Sequence, residues 1–568
     1  MKRAILLVLI TAACIGASWG AYQAASSLQT AAPPLSRFVP SGALLYLQAK
    51  DFSSLLSDWD KSGEKQIWLK SNNYEVFSRS RLFLRLKDAS NEFSTAAGIP
   101  PDTKLLRQVA GRQSALAIFD IGKLEFLYIT RLPSASSMQS ALWQTRSKFE
   151  TRSAGGATFF LRRDPESGRE VAFGVAGDYL LLATREDLLA GALQLLASGD
   201  ARSIETEPWW SHSVAAAPAE GDLRMVLNLE KIVPSPYFRS YWVQQNITDM
   251  KQYSAAISDL IRSGKEYREE RVLLRKTPAT GDASGNGGPA GVADILRLVP
   301  AQAGVYEAKA NPTPADSLAL IETKILAPHL GPGVAEKLAP EVQLNGGETG
   351  SSTDLETRID QPPVKASVAV DSAAPLQDLL AGNPVSAVLQ IQSTELDKDG
   401  VFVRIHSAVV LLGQSDWNES AVRSSLVDFV RPSFTTGLLG VEWQKNSGYI
   451  ELNGLWRLAA AARGKYLFIS DNSDLLIALL ANTNQKPTLT PAVFAARFDH
   501  QRERENFGRL TGLLDKPNGS AGAGSAPDFF SENIGSLSLA LAGVSSEKII
   551  VRDLGDRVNQ TVTYQWVR

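Results

Sequence analysis

The feature that most constrains this chain is a repeat at long range. Gly177-Asp178-Tyr179-Leu180-Leu181-Leu182-Ala183-Thr184-Arg185-Glu186-Asp187-Leu188-Leu189 aligns without gaps on Gly464-Lys465-Tyr466-Leu467-Phe468-Ile469-Ser470-Asp471-Asn472-Ser473-Asp474-Leu475-Leu476. Gly, Tyr, Leu and the closing Asp-Leu-Leu are identical. Each segment reads as a buried strand that runs into Thr184 or Ser470 and then turns. Asp187 or Asp474 falls where a carboxylate favours the first turn of a helix.

Other echoes keep the same order along the chain. Arg37 to Tyr46 (Arg-Phe-Val-Pro-Ser-Gly-Ala-Leu-Leu-Tyr) is answered by Arg297 to Tyr306 (Arg-Leu-Val-Pro-Ala-Gln-Ala-Gly-Val-Tyr). In each, a Pro-containing turn opens an apolar strand that is expected to end at Tyr. Behind Asp51, a good N-cap, Phe52, Leu55, Leu56 and Trp59 have helical spacing. Leu105 to Gly111 leads into a strand at Ser114–Phe119, as Leu376 to Gly382 leads into Val385–Gln390. A strand and a helix follow in each copy: 124–131 with 134–150, and 401–412 with 417–430. Each copy is expected to end in antiparallel strands. In the second, Leu537, Leu539 and Leu541 alternate with small residues, and after a turn near Gly555 the residues Val558, Val562, Tyr564 and Trp566 share one face. In the first, Tyr253 to Lys276 turns at Ser263-Gly264.

Ordered matches over this length indicate duplication of a whole domain, not a solenoid, whose period is roughly 20 to 50 residues. Hairpin-linked strands interrupted by helices indicate an α+β fold with two tandem copies and largely antiparallel sheets. The copies are expected at 37–275 and 293–568. Between them, residues 276–292 have Gly/Pro-rich linker composition. Mobile loops are expected near 345–363 and 516–527. No glycine fingerprint follows a strand, which argues against a nucleotide-binding doubly wound fold.

The N-terminus carries Lys2 and Arg3, then an uncharged, largely apolar run from Ala4 to Ala21. This pattern describes an export signal, with the basic residues left in the cytoplasm. Residues 1–21 are therefore a signal peptide or a membrane anchor. Three fates remain open: retention as a transmembrane helix, cleavage after Gly20, or lipidation at Cys14. Residues 22–36, with Pro33-Pro34, read as a flexible tether. Cys14 is the only cysteine, so the body has no disulfide framework, zinc cluster or thiol nucleophile. The 58 basic and 60 acidic residues are too balanced for a nucleic-acid stripe. The expected location is the periplasmic side of a bacterial envelope.

The Pro-to-Tyr opening strand, the mid-unit Gly before an apolar strand, and the Gly-x-Tyr-Leu strand entering Asp-Leu-Leu resemble a bacterial cell-envelope family known only as a domain of unknown function. The resemblance covers most of both copies. It implies export and a duplicated α+β architecture. It brings no catalytic residues, and so implies no activity.

A search for chemistry returns little. His212, His329, His406 and His500 are too far apart in sequence to form a local metal pair. Glu395 to Gly400 resembles part of a calcium loop, but the last ligand position falls on His406 where a Glu is needed. Asp399-Gly400 reads instead as a hairpin turn. Ser62-Gly63-Glu64-Lys65, Ser545-Ser546-Glu547-Lys548 and Ser470-Asp471-Asn472 are similar to penicillin-recognising motifs, but no Lys-Thr-Gly follows. Ser470 already has a role as a helix entry. Pro208-Trp209-Trp210-Ser211-His212 is the most unusual cluster, and Trp209, Trp210 and His212 form a possible ligand or partner surface. The alternative is that one Trp closes the core while its neighbour packs on the surface. Pro236, Tyr237, Phe238, Tyr241 and Trp242 form a second aromatic cluster.

The expectation is a non-catalytic, envelope-exposed binding or scaffold protein. It is attached to the membrane through its N-terminal segment and has an unidentified envelope protein or ligand as partner. No cofactor, metal or nucleic acid is expected. Two alternatives stand beside it. One is a hydrolase-type enzyme whose site is assembled from distant acids and histidines. The other is a carrier of lipid or another hydrophobic ligand, which would need a large apolar cavity.

Overall fold

The structure, a computed structural model, describes residues 33–567 apart from 71–73, 75–76, 199–201, 238–249, 279–287, 327–369, 396–403, 435–441, 455, 487–491 and 504–542. The leader, Cys14, the expected loops at 345–363 and 516–527, the Asp399-Gly400 turn and Leu537 to Leu541 lie outside the described residues. Among the described residues no helix is long and apolar enough to cross a membrane.

The protein is α+β, and among the described residues it is built on one twenty-stranded sheet in which every pairing is antiparallel. The first ten strands are β1 (Leu45–Ala49), β2 (Ser114–Asp120), β3 (Glu125–Arg131), β4 (Glu150–Ala154), β5 (Ala157–Arg163), β6 (Glu170–Ala176), β7 (Tyr179–Ala183), β8 (Leu223–Leu227), β9 (Tyr253–Ser263) and β10 (Glu266–Arg275). The second ten are β11 (Val305–Ala310), β12 (Val385–Glu395), β13 (Arg404–Gly413), β14 (Trp443–Lys445), β15 (Ile450–Asn453), β16 (Arg457–Arg463), β17 (Tyr466–Ser470), β18 (Phe494–Phe498), β19 (Val544–Asp553) and β20 (Arg557–Trp566).

From one edge inward the order is β4-β5-β6-β7-β3-β2-β1-β8-β9-β10. From the other edge it is β14-β15-β16-β17-β13-β12-β11-β18-β19-β20. The second order is the first with ten added to each label. The two series meet where β10 pairs with β20, from Glu266 opposite Gln565 to Leu274 opposite Arg557. Gly264 and Gly555 turn the flanking hairpins with positive φ, which glycine adopts without steric cost. The sixth residue beyond each, Glu270 and Thr561, face one another, so a local two-fold axis passes through that pair. Arg275 also spans the seam, donating from Nη1 to Asp553 Oδ1 at 2.7 Å and from Nη2 to Oδ2 at 2.8 Å.

Helices cover both faces. In the first half they are α1 (Phe52–Lys61), α2 (Gly63–Leu69), α3 (Arg81–Ala97), α4 (Thr103–Val109), α5 (Ser134–Gln139), α6 (Ala141–Gln144), α7 (Glu186–Ala197), α8 (Pro208–Ala216) and α9 (Leu229–Ile232). In the second half they are α10 (Gly288–Leu296), α11 (Pro314–Ile321), α12 (Val370–Gly382), α13 (Glu419–Phe434) and α14 (Ser473–Ala481). Period-2 alternation sends Leu127, Ile129, Leu181 and Ala183 to one face, against α7, α8 and the 3-10 turn Leu35–Phe38. Phe173, Leu180 and Leu182 point the other way, against α3, α4 and Leu142. The second half repeats this, with α10 and α14 on the first face and α11, α12 and α13 on the other.

The repeated strand-turn-helix segments fold as the sequence indicates. Gly177 and Gly464 both adopt φ 54 at the turns entering β7 and β17. Asp51 caps α1 by accepting from the Ser54 amide at 2.8 Å, and Asn472 caps α14 by accepting from the Leu475 amide at 2.9 Å.

Several boundaries need correction. The tether does not run to residue 36: Leu35 is fully buried and Ser36 nearly so, because Leu35 and Phe38 anchor a 3-10 turn against α7. The linker does not run to 292: α10 begins at Gly288, and Val292 is fully buried with Ile295 and Leu298. The opening strands do not end at Tyr, since Tyr46 and Tyr306 are each the second residue of β1 and β11. The helix expected over 134–150 is broken at Ser140. Its hydroxyl accepts from the Trp143 amide to start α6, and strand structure begins at Glu150.

One buried ion pair fixes the join between β8 and β9. Arg224 and Asp259 are almost completely buried, with Nε donating to Oδ1 at 2.8 Å and Nη2 to Oδ2 at 2.9 Å. Arg224 also donates to the carbonyls of Ala217 and Ala219. Removing one partner strands the other charge, at a cost of roughly 3–5 kcal/mol. Asp259→Asn should lower unfolding free energy by about 3 kcal/mol in urea titrations, while Arg224→Met with Asp259→Leu should recover most of that loss. An Asp259→Asn protein as stable as the parent would contradict this role.

Candidate functional site

Over β1, β2 and β8, α1, α3 and α4 do not close down on the sheet. Beneath them lies a cavity of about 450 Å³. Its floor is the face formed by Leu47 of β1, Leu116 and Ile118 of β2, Phe126 of β3, Leu182 of β7 and Leu223 of β8. Its walls are Phe52 of α1, Leu86, Ala89 and Phe93 of α3, and Leu105 and Leu106 of α4. Leu47, Leu116, Ile118 and Phe126 stay partly exposed although they sit on central strands. On the matching face of the second half, Ile325, Leu376, Leu380, Trp417 and Leu426 are buried together.

The polar groups in the floor are already satisfied. Tyr128 donates from its hydroxyl to the Val109 carbonyl at 2.9 Å, and burial pushes its phenol up. Ser114 and Thr130 share a hydroxyl contact of 2.6 Å. Such walls offer a ligand apolar contact and little else. Trp59, Leu69, Leu84, Leu86 and Leu106 are large exposed hydrophobic residues, Leu84 at 49% and Leu86 at 44%. Isolated exposed apolar side chains are ordinary, but Leu86 and Leu106 also line the cavity itself.

The cavity adjoins a second, polar cleft of about 780 Å³. Arg169 and Thr184 line both. A clamp centred on Glu92 of α3 sits at this junction. Arg85 donates from Nη1 to Glu92 Oε1 at 3.1 Å and from Nε to the Gly122 carbonyl at 2.8 Å. Arg169 donates from Nε to Glu92 Oε2 at 3.0 Å and from Nη2 to the Lys123 carbonyl at 2.7 Å. The clamp therefore ties α3 to the β2–β3 and β5–β6 turns. Burial opposes ionisation of Glu92, but the Arg169 and Arg85 hydrogen bonds prevail and hold its carboxyl below the usual glutamate range.

The residues singled out from sequence lie elsewhere. Trp209, Trp210 and His212 share α8, on the opposite face of the sheet from the cavity. Trp210 is buried and packs edge-on against Tyr46 at 4.8 Å. Trp209 is half-buried against Trp210 and donates its ring N–H to Glu207. His212 is exposed. Thus Trp210 closes the core, and only Trp209 and His212 offer surface. Of the second aromatic cluster only Pro236 and Tyr237 are described, with the Tyr237 ring lying over Gly122.

His406 bonds to Glu395 at 2.9 Å, and His500 lies 3.9 Å from Glu547. His329 and Cys14 are outside the described residues. Among the described residues no group of three or more His, Cys, Asp or Glu is placed to hold a metal ion. Ser62 and Ser470 sit in separate halves. Ser62 accepts from the Lys65 amide at 3.2 Å, and the buried Ser470 donates to the Ser407 carbonyl at 2.9 Å.

Sequence reasoning missed the cavity. The helical spacing of Phe52, Leu55, Leu56 and Trp59 matches α1, but spacing alone does not show the space behind that helix. The available signal was Leu84 and Leu86 in α3, which extend its apolar surface beyond one buried stripe.

The clamp carries a pH sign. Above the ordinary glutamate range Glu92 is charged whether folded or unfolded, and the clamp stabilises α3. As pH falls through its depressed value, that stabilisation is lost. Glu92→Gln should speed amide exchange across residues 81–97 at neutral pH by roughly tenfold, as expected for losing a charge-assisted hydrogen bond of about 1.5 kcal/mol. Acidifying the parent protein should lower the protection factors of the same amides, taken relative to intrinsic exchange at each pH, toward those of the variant. Unchanged exchange in the variant would show that the clamp does not hold α3.

No family model and no curated protein matches the chain. Similar solved structures include three crystal forms of TP0453. Form IV has a TM-score of 0.24 at 12% identity over 43% of this chain and 82% of its own. Form I has 0.23 at 13% over 44% and 82%, and form III has 0.22 at 12% over 44% and 81%. At these TM-scores the likeness carries no argument about fold or function.

Proposed function

We propose that this chain is a non-catalytic envelope protein that binds a hydrophobic ligand in the cavity beneath α1, α3 and α4. One observation carries the reading: an apolar chamber within the size range of small-molecule sites, whose few polar floor groups already have hydrogen-bond partners in the protein. This brings the carrier alternative together with the expected binding role. The hydrolase alternative, whose site would be assembled from distant acids and histidines, has less support: His406 bonds to Glu395 of β12, His500 lies 3.9 Å from Glu547 of β19, and His212 is exposed.

Two further elements belong to the proposal. The chain is two copies of one unit, supported by the repeated strand order and by the ordered sequence echoes. In this reading the first copy keeps an open chamber, while the second fills the corresponding face with Trp417, Leu376 and Leu380. Export rests on Lys2, Arg3 and the uncharged run to Ala21, and it would place the chamber where envelope lipids are available.

A fluorescent long-chain fatty acid should bind the parent protein saturably, with emission shifted to the blue. Ala89→Trp, which fills the chamber from α3, should weaken binding at least tenfold while leaving far-ultraviolet circular dichroism unchanged. Absence of saturable binding to the parent would overturn the proposal.

A further inference from the structure

The boundary between the cavity and the cleft is drawn between sequence neighbours. Leu86 lines the cavity and Arg85 the cleft, while Phe93 lines the cavity and Glu92 the cleft. In the β2–β3 turn, Leu124 lines the cavity and Lys123 the cleft. Leu124 has φ 51, a left-handed conformation that is costly for a bulky residue and calls for a compensating reason. Its effect here is to put an apolar and a cationic side chain on opposite sides of one polar–apolar border.

Most charges in the cleft are already engaged. Arg85 and Arg169 share Glu92, Arg185 pairs with Glu125 and Asp187, and Glu170 pairs with Arg163 outside. Lys123 and Glu186 differ. Among the described residues, neither the exposed Lys123 ammonium nor the Glu186 carboxylate makes a hydrogen bond or ion pair, although Glu186 is close enough to Arg163 to act on its charge. An anionic head would meet Lys123 but also a cleft rich in carboxylates. A cationic head would meet Glu186 but also three guanidinium groups. A head carrying both signs can satisfy both unpaired groups.

Resting on the hydrophobic-ligand reading, we infer that the ligand is a single-chain zwitterionic amphiphile. Its tail lies in the cavity, and its phosphate-and-ammonium head lies in the cleft between Lys123 and Glu186. A chamber of about 450 Å³ is of a size that takes a single hydrocarbon chain.

The test is calorimetric titration with four probes of equal chain length, each below its micelle concentration: lysophosphatidylcholine, lysophosphatidic acid, alkyltrimethylammonium and monoacylglycerol. The parent protein should bind lysophosphatidylcholine at least fivefold tighter than the other three. Lys123→Glu should remove that preference and favour the cationic probe, and Glu186→Lys should favour the anionic one. Equal affinity for all four, insensitive to both variants, would overturn the head assignment and leave tail binding intact. Tightest binding of a singly charged probe would also overturn it. Failure of every probe to bind would instead overturn the hydrophobic-ligand reading.

Discussion

Away from the β10–β20 seam both faces of the sheet are apolar, so there each face must be covered by a layer of helices. Burial of apolar surface contributes roughly 25 cal/mol per Å². Most of the first half meets this demand: Leu181 and Ala183 go under α7, and Phe173 and Leu180 go under α3 and Leu142. At β1, β2 and β8 the cover stands off the sheet. Leu47, Leu116 and Leu223 then line a chamber in place of a packed core. An empty chamber of this size costs stability, since its lining loses dispersion contacts. The ligand proposal gives that cost a function.

The standoff is held in place and is not a consequence of loose packing. Glu92 receives Arg85 and Arg169, and these in turn reach the backbone of Gly122 and Lys123. The same turn carries Leu124 in its left-handed conformation. Clamp, turn and chamber therefore share one set of residues, and a change at one should be felt at the others. On the far side of the sheet, Tyr46 and Trp210 pack edge-on within a buried cluster, so the floor of the chamber is backed by filled core.

What could be read from the sequence was local. Gly177 and Gly464, each followed by Tyr-Leu and then Asp-Leu-Leu, specify a turn, a strand and a helix, and those elements are present. The Ser263-Gly264 hairpin was legible for the same reason. Pairing of β10 with β20 was not, because Glu270 and Thr561 are distant in sequence and alternation alone does not name a partner strand. Leu35 and Val292 were assigned to flexible segments because proline and glycine nearby outweighed single apolar residues. The chamber was illegible in principle. Leu47 and Leu116 alternate like any buried strand residues, and only the height of α3 above them decides whether they pack or line a space. Lys123 could not be picked out among 58 basic residues, since its significance comes from the neighbours that are already paired.

The central claim is that the chamber holds a hydrocarbon chain, and native mass spectrometry of protein purified without detergent tests it most directly. The account predicts a species heavier than the polypeptide by the mass of one single-chain lipid, lost on organic extraction. A polypeptide of unmodified mass that takes up no added lipid would contradict it.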